Sequence, residues 1–303
     1  MKHTVLLIRT KPDFDFTTTV YSHGWCSLPP FVLQRSSTLL ERVFTLSSGV
    51  VILCTFTGRA GTIRARVSAR HALSSRDRAE VRTLSSRCFR LDEDLAPFYK
   101  AIASDPQHRW IAERRAGRML RGPTVFEDLV KTICTTNCSW ALTTAMVTNL
   151  CKTLGEPFES DRFAFPTPRA LAASSERVLR RTIKVGYRAP FLLELARSID
   201  SGKLDPEQWL DPLIPVDEVY RSLRNIKGVG DYAAGTMLKL LGRYDYLGLD
   251  SWVRAQYYRL HHGGRRVKDA TLAKRYHAFG RWRGLLFWLE MTRHWYDQKF
   301  PIV

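Results

Sequence analysis

Two groups of residues in the last third of the chain have types and spacing that could do chemistry. The stretch 226–235, IKGVGDYAAG, turns on Gly228 and Gly230, and Asp250 follows twenty residues beyond Gly230 in YDYLGLDSWVR. Glycines at both corners let the backbone reverse tightly with its N–H groups outward, and such groups at a helix start can bind a phosphate oxygen. Lys227 adds a positive charge beside Gly228, Val229 and Gly230. A bare Gly-x-Gly turn equally suits a plain connection between helices. Asp250, at the opening of the next helix, is in the first instance a cap. Tyr232, two places after the second glycine, puts a phenol where a lysine would mean different chemistry.

The elements that must position these groups can be read from periodicity. Residues 1 to about 95 are β-rich: HTVLLI, FTTTVYS, RVFTLSSGVVILCTFTG and TIRARVSA carry β-branched, partly alternating residues broken by turn signals. Helical periods follow over 95–103, 125–134, 139–154, 168–181, 188–201, 217–225, 231–241, 250–261, 269–278 and 281–296. Pro168 and Pro190 suit first helical turns, and Gly155, Gly202 and Gly242 lie just past helix ends. The expected fold class is α+β: an antiparallel sheet domain over 1–95, then an all-helical, two-lobed body over 96–303 with a helix–hairpin–helix at 217–241.

Composition narrows the partner. The 303 residues carry 47 Lys+Arg against 29 Asp+Glu, a net charge of +18 and a pI near 10.0, which points to a polyanion. From Arg221 to Val303 there are 16 Lys+Arg and 6 Asp+Glu, interleaved with aromatic residues, so the charge is a folded surface and not a basic arm. The six cysteines are scattered, with no paired CxxC and none after Cys151, which excludes a C-terminal iron–sulfur cluster. Cys134 and Cys138 lie one helical turn apart, but two ligands do not make a metal site. No metal is expected. No apolar run suits a signal peptide or a membrane span, so an intracellular, soluble protein is expected, cytoplasmic and nucleoid-associated if bacterial.

Taken in order, these segments resemble the helix-hairpin-helix DNA glycosylase superfamily. The resemblance rests on IKGVGDYAAGTMLKLLG…LDSWVR and on three flanking segments. FEDLVKTICTTNCSWALTTAMVTNLC looks like its lesion-site helix pair, the GYRAP stretch like its Gly-Tyr-Arg-Ala segment, and FGRWRGLLFWLEMTRHWYD like its closing helix. FDFTTTVYSHGWCSLPPF is similar to the N-terminal, TBP-like sheet domain of the alkyladenine and 8-oxoguanine glycosylase branches. The likeness spans most of the chain.

The resemblance implies a monomeric enzyme that flips a base out of double-stranded DNA and cleaves its N-glycosidic bond, with no membrane partner and no cofactor beyond room for a monovalent cation at the hairpin. Asp250 would be the catalytic carboxylate, facing the charge that builds on the sugar. Bifunctional members carry a lysine where this chain has Tyr232. A phenol forms no imine, so a monofunctional enzyme is expected, with Lys227 and Lys239 the nearest candidates for a displaced amine. Asn137 matches the residue that enters the gap beside the orphaned base. Arg188 and Arg254 would contact DNA along with Lys227, Gly228, Val229 and Gly230.

For the base pocket the resemblance offers His23, Gly24, Trp25, Tyr232 and Trp288, with Phe287 and Met291 standing where the 8-oxoguanine branch grips its base. Loss of the polar reader there argues against 8-oxoguanine. It leaves an alkylated purine, which stacks well on aromatic rings, or a mismatched or modified pyrimidine, including an unusual base of foreign DNA. The alternatives are an 8-oxoguanine-type glycosylase/lyase, a non-catalytic DNA-binding protein that keeps the hairpin, and a basic scaffold for RNA or protein.

Overall fold

The computed structural model describes residues 1–159 and 161–297. Five strands, β1 (Lys2–Arg9), β2 (Phe31–Gln34), β3 (Leu39–Thr45), β4 (Val51–Arg59) and β5 (Thr62–Ala69), form one antiparallel sheet in the order β1-β5-β4-β3-β2. The SSG turn closes the β3–β4 hairpin, pairing Thr45 with Val51. Two helices belong to this N-terminal region, and both depart from the strand reading. FTTTVYS is not a strand but α1 (Phe16–Val20), because Asp15 caps it by accepting from Thr18 N at 2.7 Å. The helix α2 (Ser75–Phe89) falls within the stretch that reads as β-rich. Its capping box between Ser74 and Asp77 is written in the sequence, but its largely charged surface leaves no clear apolar stripe.

The helical body continues with α3 (Ala96–Ile102), α4 (Arg109–Glu113), α5 (Val125–Thr135) and α6 (Trp140–Leu154), then a small hairpin of β6 (Pro157–Glu159) and β7 (Arg162–Phe163). The helix expected over 168–181 is broken. It forms α7 (Pro168–Ala172) and α8 (Glu176–Val178), the latter running into a π-turn at Leu179–Ile183, since Ser175 caps a new start by accepting from Val178 N. There follow α9 (Ala189–Asp200), α10 (Val216–Arg224), α11 (Asp231–Leu240), α12 (Ser251–His262), α13 (Asp269–Tyr276) and α14 (Arg283–Asp297).

Two apolar cores organise these elements. One joins the sheet to α5, α6, α9 and α11; the other gathers α3, α12, α13 and α14 around Tyr257, Tyr276 and Phe287. A buried ion network pins the sheet to the helical body: Arg42 of β3 makes a two-point contact with Glu127 of α5 at 2.9 and 2.5 Å, and Lys131 reaches the same carboxylate at 2.7 Å. No helix among the described residues is long and apolar enough to cross a membrane.

Candidate active site

A cleft of about 860 Å³ opens where the two apolar cores and the turn after α1 meet. The helix α11 supplies one wall. Tyr232, Thr236 and Lys239 recur at i, i+4 and i+7, a spacing that stacks side chains on one helical face, and all three line the cleft. The loop leading into α12 brings Gly248 and Asp250 opposite them, and five tryptophans, Trp25, Trp140, Trp252, Trp288 and Trp295, complete the lining.

Asp250 does two things at once. Its Oδ1 accepts from Val253 N at 2.7 Å, the N-cap bond of α12, while the half-buried carboxylate stands at the cleft surface. Tyr232 has its hydroxyl 3.5 Å from Thr135 Oγ1, and burial together with the nearby Asp250 charge raises its pKa, keeping the phenol neutral. Lys239 is 2 % exposed; burial lowers its pKa to about 8 against the opposing pull of Asp250. It remains mostly protonated at neutral pH.

The connection between α10 and α11 turns on its two glycines. Gly228 takes φ +87°, and a Cβ there would come 2.8 Å from the Phe191 ring. Gly230 is the N-cap of α11 and provides no side chain to cap it, so the first N–H groups of that helix have no side-chain partner from their cap. Val229 buries its side chain and can offer only its backbone outward. Lys227, largely exposed, pairs with Glu194 at 2.9 Å.

Residues 130–261 match the family described as HhH-GPD superfamily base excision DNA repair protein. That match runs from within α5 to the last turn of α12 and takes in the glycine corner and Asp250. A probable N-glycosylase/DNA lyase of Methanothermobacter thermautotrophicus is 24% identical over 289 residues, covering 86% of this chain and 87% of that protein. In fold the chain is similar to the 3-methyladenine DNA glycosylase of Archaeoglobus fulgidus (TM-score 0.72, 20% identity, 96% of this chain and 99% of that one). It is similar also to the 8-oxoguanine glycosylase/lyase of Clostridium acetobutylicum (TM-score 0.71, 18% identity, 96% and 97%).

In the helical body several expected site residues take other places. Phe287 and Met291 are fully buried in the second core, Phe287 edge-on to Tyr276 with ring centroids 5.2 Å apart, and neither reaches the cleft. It is Trp288 and Trp295, two turns apart on the neighbouring stripe of α14, that line it. Arg188 is also corrected. Its guanidinium is buried and donates to the carbonyls of Ile133 (3.1 Å), Val185 (3.4 Å) and Thr136, so it holds the end of α5 instead of facing DNA. Asn137, which that end carries, sits exposed at the cleft rim with φ +49°, its amide donating to Tyr187 Oη at 3.3 Å. Arg254 is held by a two-point contact with Asp269 at 2.9 and 2.8 Å.

Among the residues from the turn after α1, His23 donates its Nε2–H to Leu120 O, and burial depresses its pKa to about 4, so the ring is neutral. Gly24 is required by shape: an added Cβ would meet the Trp140 ring at 2.4 Å. Trp25 is fixed by a bond from Nε1 to Asp128 at 2.8 Å. The two neighbouring cysteines are packing thiols, Cys134 buried with its pKa raised to about 12 and Cys138 donating to the Cys134 carbonyl at 3.1 Å. Lys239, Trp140, Trp252 and Trp295 were missed as pocket residues. For Lys239 the signal was present, seven residues after Tyr232 on the same helical face.

Proposed function

We propose that the protein is a DNA glycosylase that receives an extruded base in the tryptophan-lined cleft and hydrolyses its N-glycosidic bond. The observation that carries this reading is the convergence of Asp250 and the hairpin helix on one aromatic cleft. A base cannot be attacked inside the duplex, so it must be turned out, and the flat walls of Trp25, Trp288 and their neighbours suit a stacked base. The Gly228–Gly230 corner and Lys227 hold the strand by its phosphate, which contributes position and salt-dependent affinity. Asn137, at the rim, fills the vacated stack in this reading. Asp250 stabilises the oxocarbenium character that develops at C1′ and orients the attacking water. Tyr232 supplies no amine, so water is the nucleophile and the product is an abasic site. The basic surface favours double-stranded DNA as the partner.

The test is a panel of duplexes, each with one alkylated, oxidised, deaminated or hypermodified base, incubated with the protein and then treated with alkali. Strand scission on at least one duplex that depends on Asp250 is the expected result. A protein that binds every duplex yet releases no base from any of them overturns the reading and leaves a hairpin DNA-binding protein.

A further inference from the structure

We propose that the Lys239 ammonium reads the extruded base, donating to a carbonyl oxygen and taking up negative charge as the base departs, so that the cleft selects neutral oxo-bearing bases over cationic N-alkylated purines. This rests on the glycosylase reading above and names the class of base it acts on.

Lys239 belongs to the same face of α11 as Tyr232 and Thr236 and lines the cleft with Asp250. Its Nζ has three donors to satisfy, and the contact it makes is a long one, 3.4 Å to the carbonyl of Leu247. No described carboxylate lies within ion-pair distance of it; Asp250 acts on it through the field alone. A buried ammonium so weakly partnered is expensive unless an acceptor arrives to meet it.

The surroundings make room for that ammonium. Gly248, at φ +64°, would bring a Cβ within 3.1 Å of Nζ, and a Cβ on Gly235 would strike the backbone of Gly248 at 2.5 Å. Two glycines therefore let the loop press against α11 while leaving space for the tip of the side chain. Above it stands Trp288, its ring centroid 4.8 Å from Nζ and its indole N–H anchored to the Ser22 carbonyl at 3.1 Å. A base stacked in this cleft meets a fixed cation within a low-dielectric wall.

The charge then decides which base is accepted. A purine already carrying a positive charge is repelled by Lys239, and part of the attraction that aromatic walls offer a cation is spent on the ammonium that Trp288 already faces. A neutral oxidised or deaminated base presents a carbonyl oxygen, a good acceptor for a charged donor. During reaction the C1′–N bond breaks and its electron pair stays with the base, where it delocalises onto that oxygen. Lys239 stabilises the anion and transfers a proton to it; the water oxygen bonds to C1′ and gives a proton to Asp250. The sum is addition of water across the bond, and the two side chains re-equilibrate with solvent.

The experiment compares the wild type with Lys239→Met and Lys239→Arg on duplexes carrying uracil, 5-hydroxyuracil or 8-oxoguanine, and on methylated duplex from which 3-methyladenine release is counted. The wild type should release at least one oxo-bearing base tenfold or more faster than 3-methyladenine. Lys239→Met should lose tenfold or more on that base, gain relative to it on 3-methyladenine, and keep its affinity for a duplex with an abasic analogue; Lys239→Arg should recover part of the loss. Equal loss on every base, or a wild type that prefers 3-methyladenine, overturns the inference while leaving the glycosylase reading intact. Borohydride trapping on an abasic duplex that vanishes in Lys239→Met also overturns it, since the amine would then be the nucleophile. Release of no base from any duplex sinks the glycosylase reading itself.

Discussion

The indole N–H of Trp25 donates to Oδ1 of Asp128 at 2.8 Å, and the backbone N–H of Gly122 donates to the same oxygen at 2.8 Å. A cleft wall is thus hung on a carboxylate in the interior. Burial, only partly offset by the Arg121 charge and these two bonds, raises the Asp128 pKa from 3.8 to about 6. The sign follows. With a folded pKa above the unfolded one, the folded state holds the extra proton between roughly pH 4 and 6, so stability from this group falls as pH rises through that window and is lowest above it. Asp128→Asn keeps the oxygen that accepts both bonds and removes the buried charge. It should stabilise the protein at pH 8 by on the order of 2 kcal/mol and do little near pH 4, read as the difference in thermal midpoint at the two pH values. An equal effect at both would mean that the charge is not the cause.

Asp250→Asn separates the α12 cap from the proposed chemistry, because asparagine is as good an N-cap as aspartate. Asp250→Asn should leave the α12 cap and the thermal midpoint near wild type, keep duplex affinity, and slow base release by roughly 100-fold or more, the usual loss when a transition-state charge partner is removed. Single-turnover release on whichever lesion duplex is active provides the measurement. Unchanged release would reduce Asp250 to a cap.

The residues that were legible in the sequence are those whose roles are local. The Gly228–Gly230 corner, the helices on either side of it and Asp250 as a helix opener each follow from a few neighbouring residues, and the cleft lies where that hairpin points. What failed depends on rotation about a helix or on distant partners. An alignment phase of one residue turns a side chain by about 100°, enough to exchange Phe287, which faces the second core, for Trp288, which faces the cleft. Arg188 reads as a surface cation because nothing nearby in the chain announces the carbonyls of Ile133 and Thr136 that its guanidinium satisfies. For Lys239 the spacing from Tyr232 gives the helical face, but a lysine on a helix ordinarily faces solvent, and the fold is needed to show that this face closes a cleft.

Duplex binding should report on Lys227. Its side chain is 65% exposed beside the glycine corner, and its partner Glu194 is itself half exposed, so a phosphate can replace that ion pair with small loss. Lys227→Gln should weaken binding to lesion and plain duplex alike. It should also make the slope of log affinity against log salt less steep by about 0.9, the value for one phosphate contact on B-form DNA. A slope that does not move would remove the hairpin lysine from the interface.

The buried network at the sheet–helix junction offers a prediction about stability alone. Arg42, Glu127 and Lys131 are each no more than 2 % exposed, and the Arg42 guanidinium also lies over the rings of Phe31 and Phe44 at 4.5 and 4.9 Å. Burial pushes the Glu127 pKa up, but Arg42 and Lys131 outweigh it and hold the carboxyl below its ordinary value, so it is a carboxylate. Arg42→Met removes one cation and leaves a buried carboxylate with a single partner. That change should cost about 3–5 kcal/mol in urea unfolding. Replacing the whole set, as Arg42→Met, Glu127→Leu and Lys131→Met together, takes every charge out of the interior and should recover most of that loss, because desolvation roughly cancels attraction in such clusters. If the triple variant is less stable than Arg42→Met, the network contributes net stability of its own, and the sheet is held to α5 by charge more than by packing.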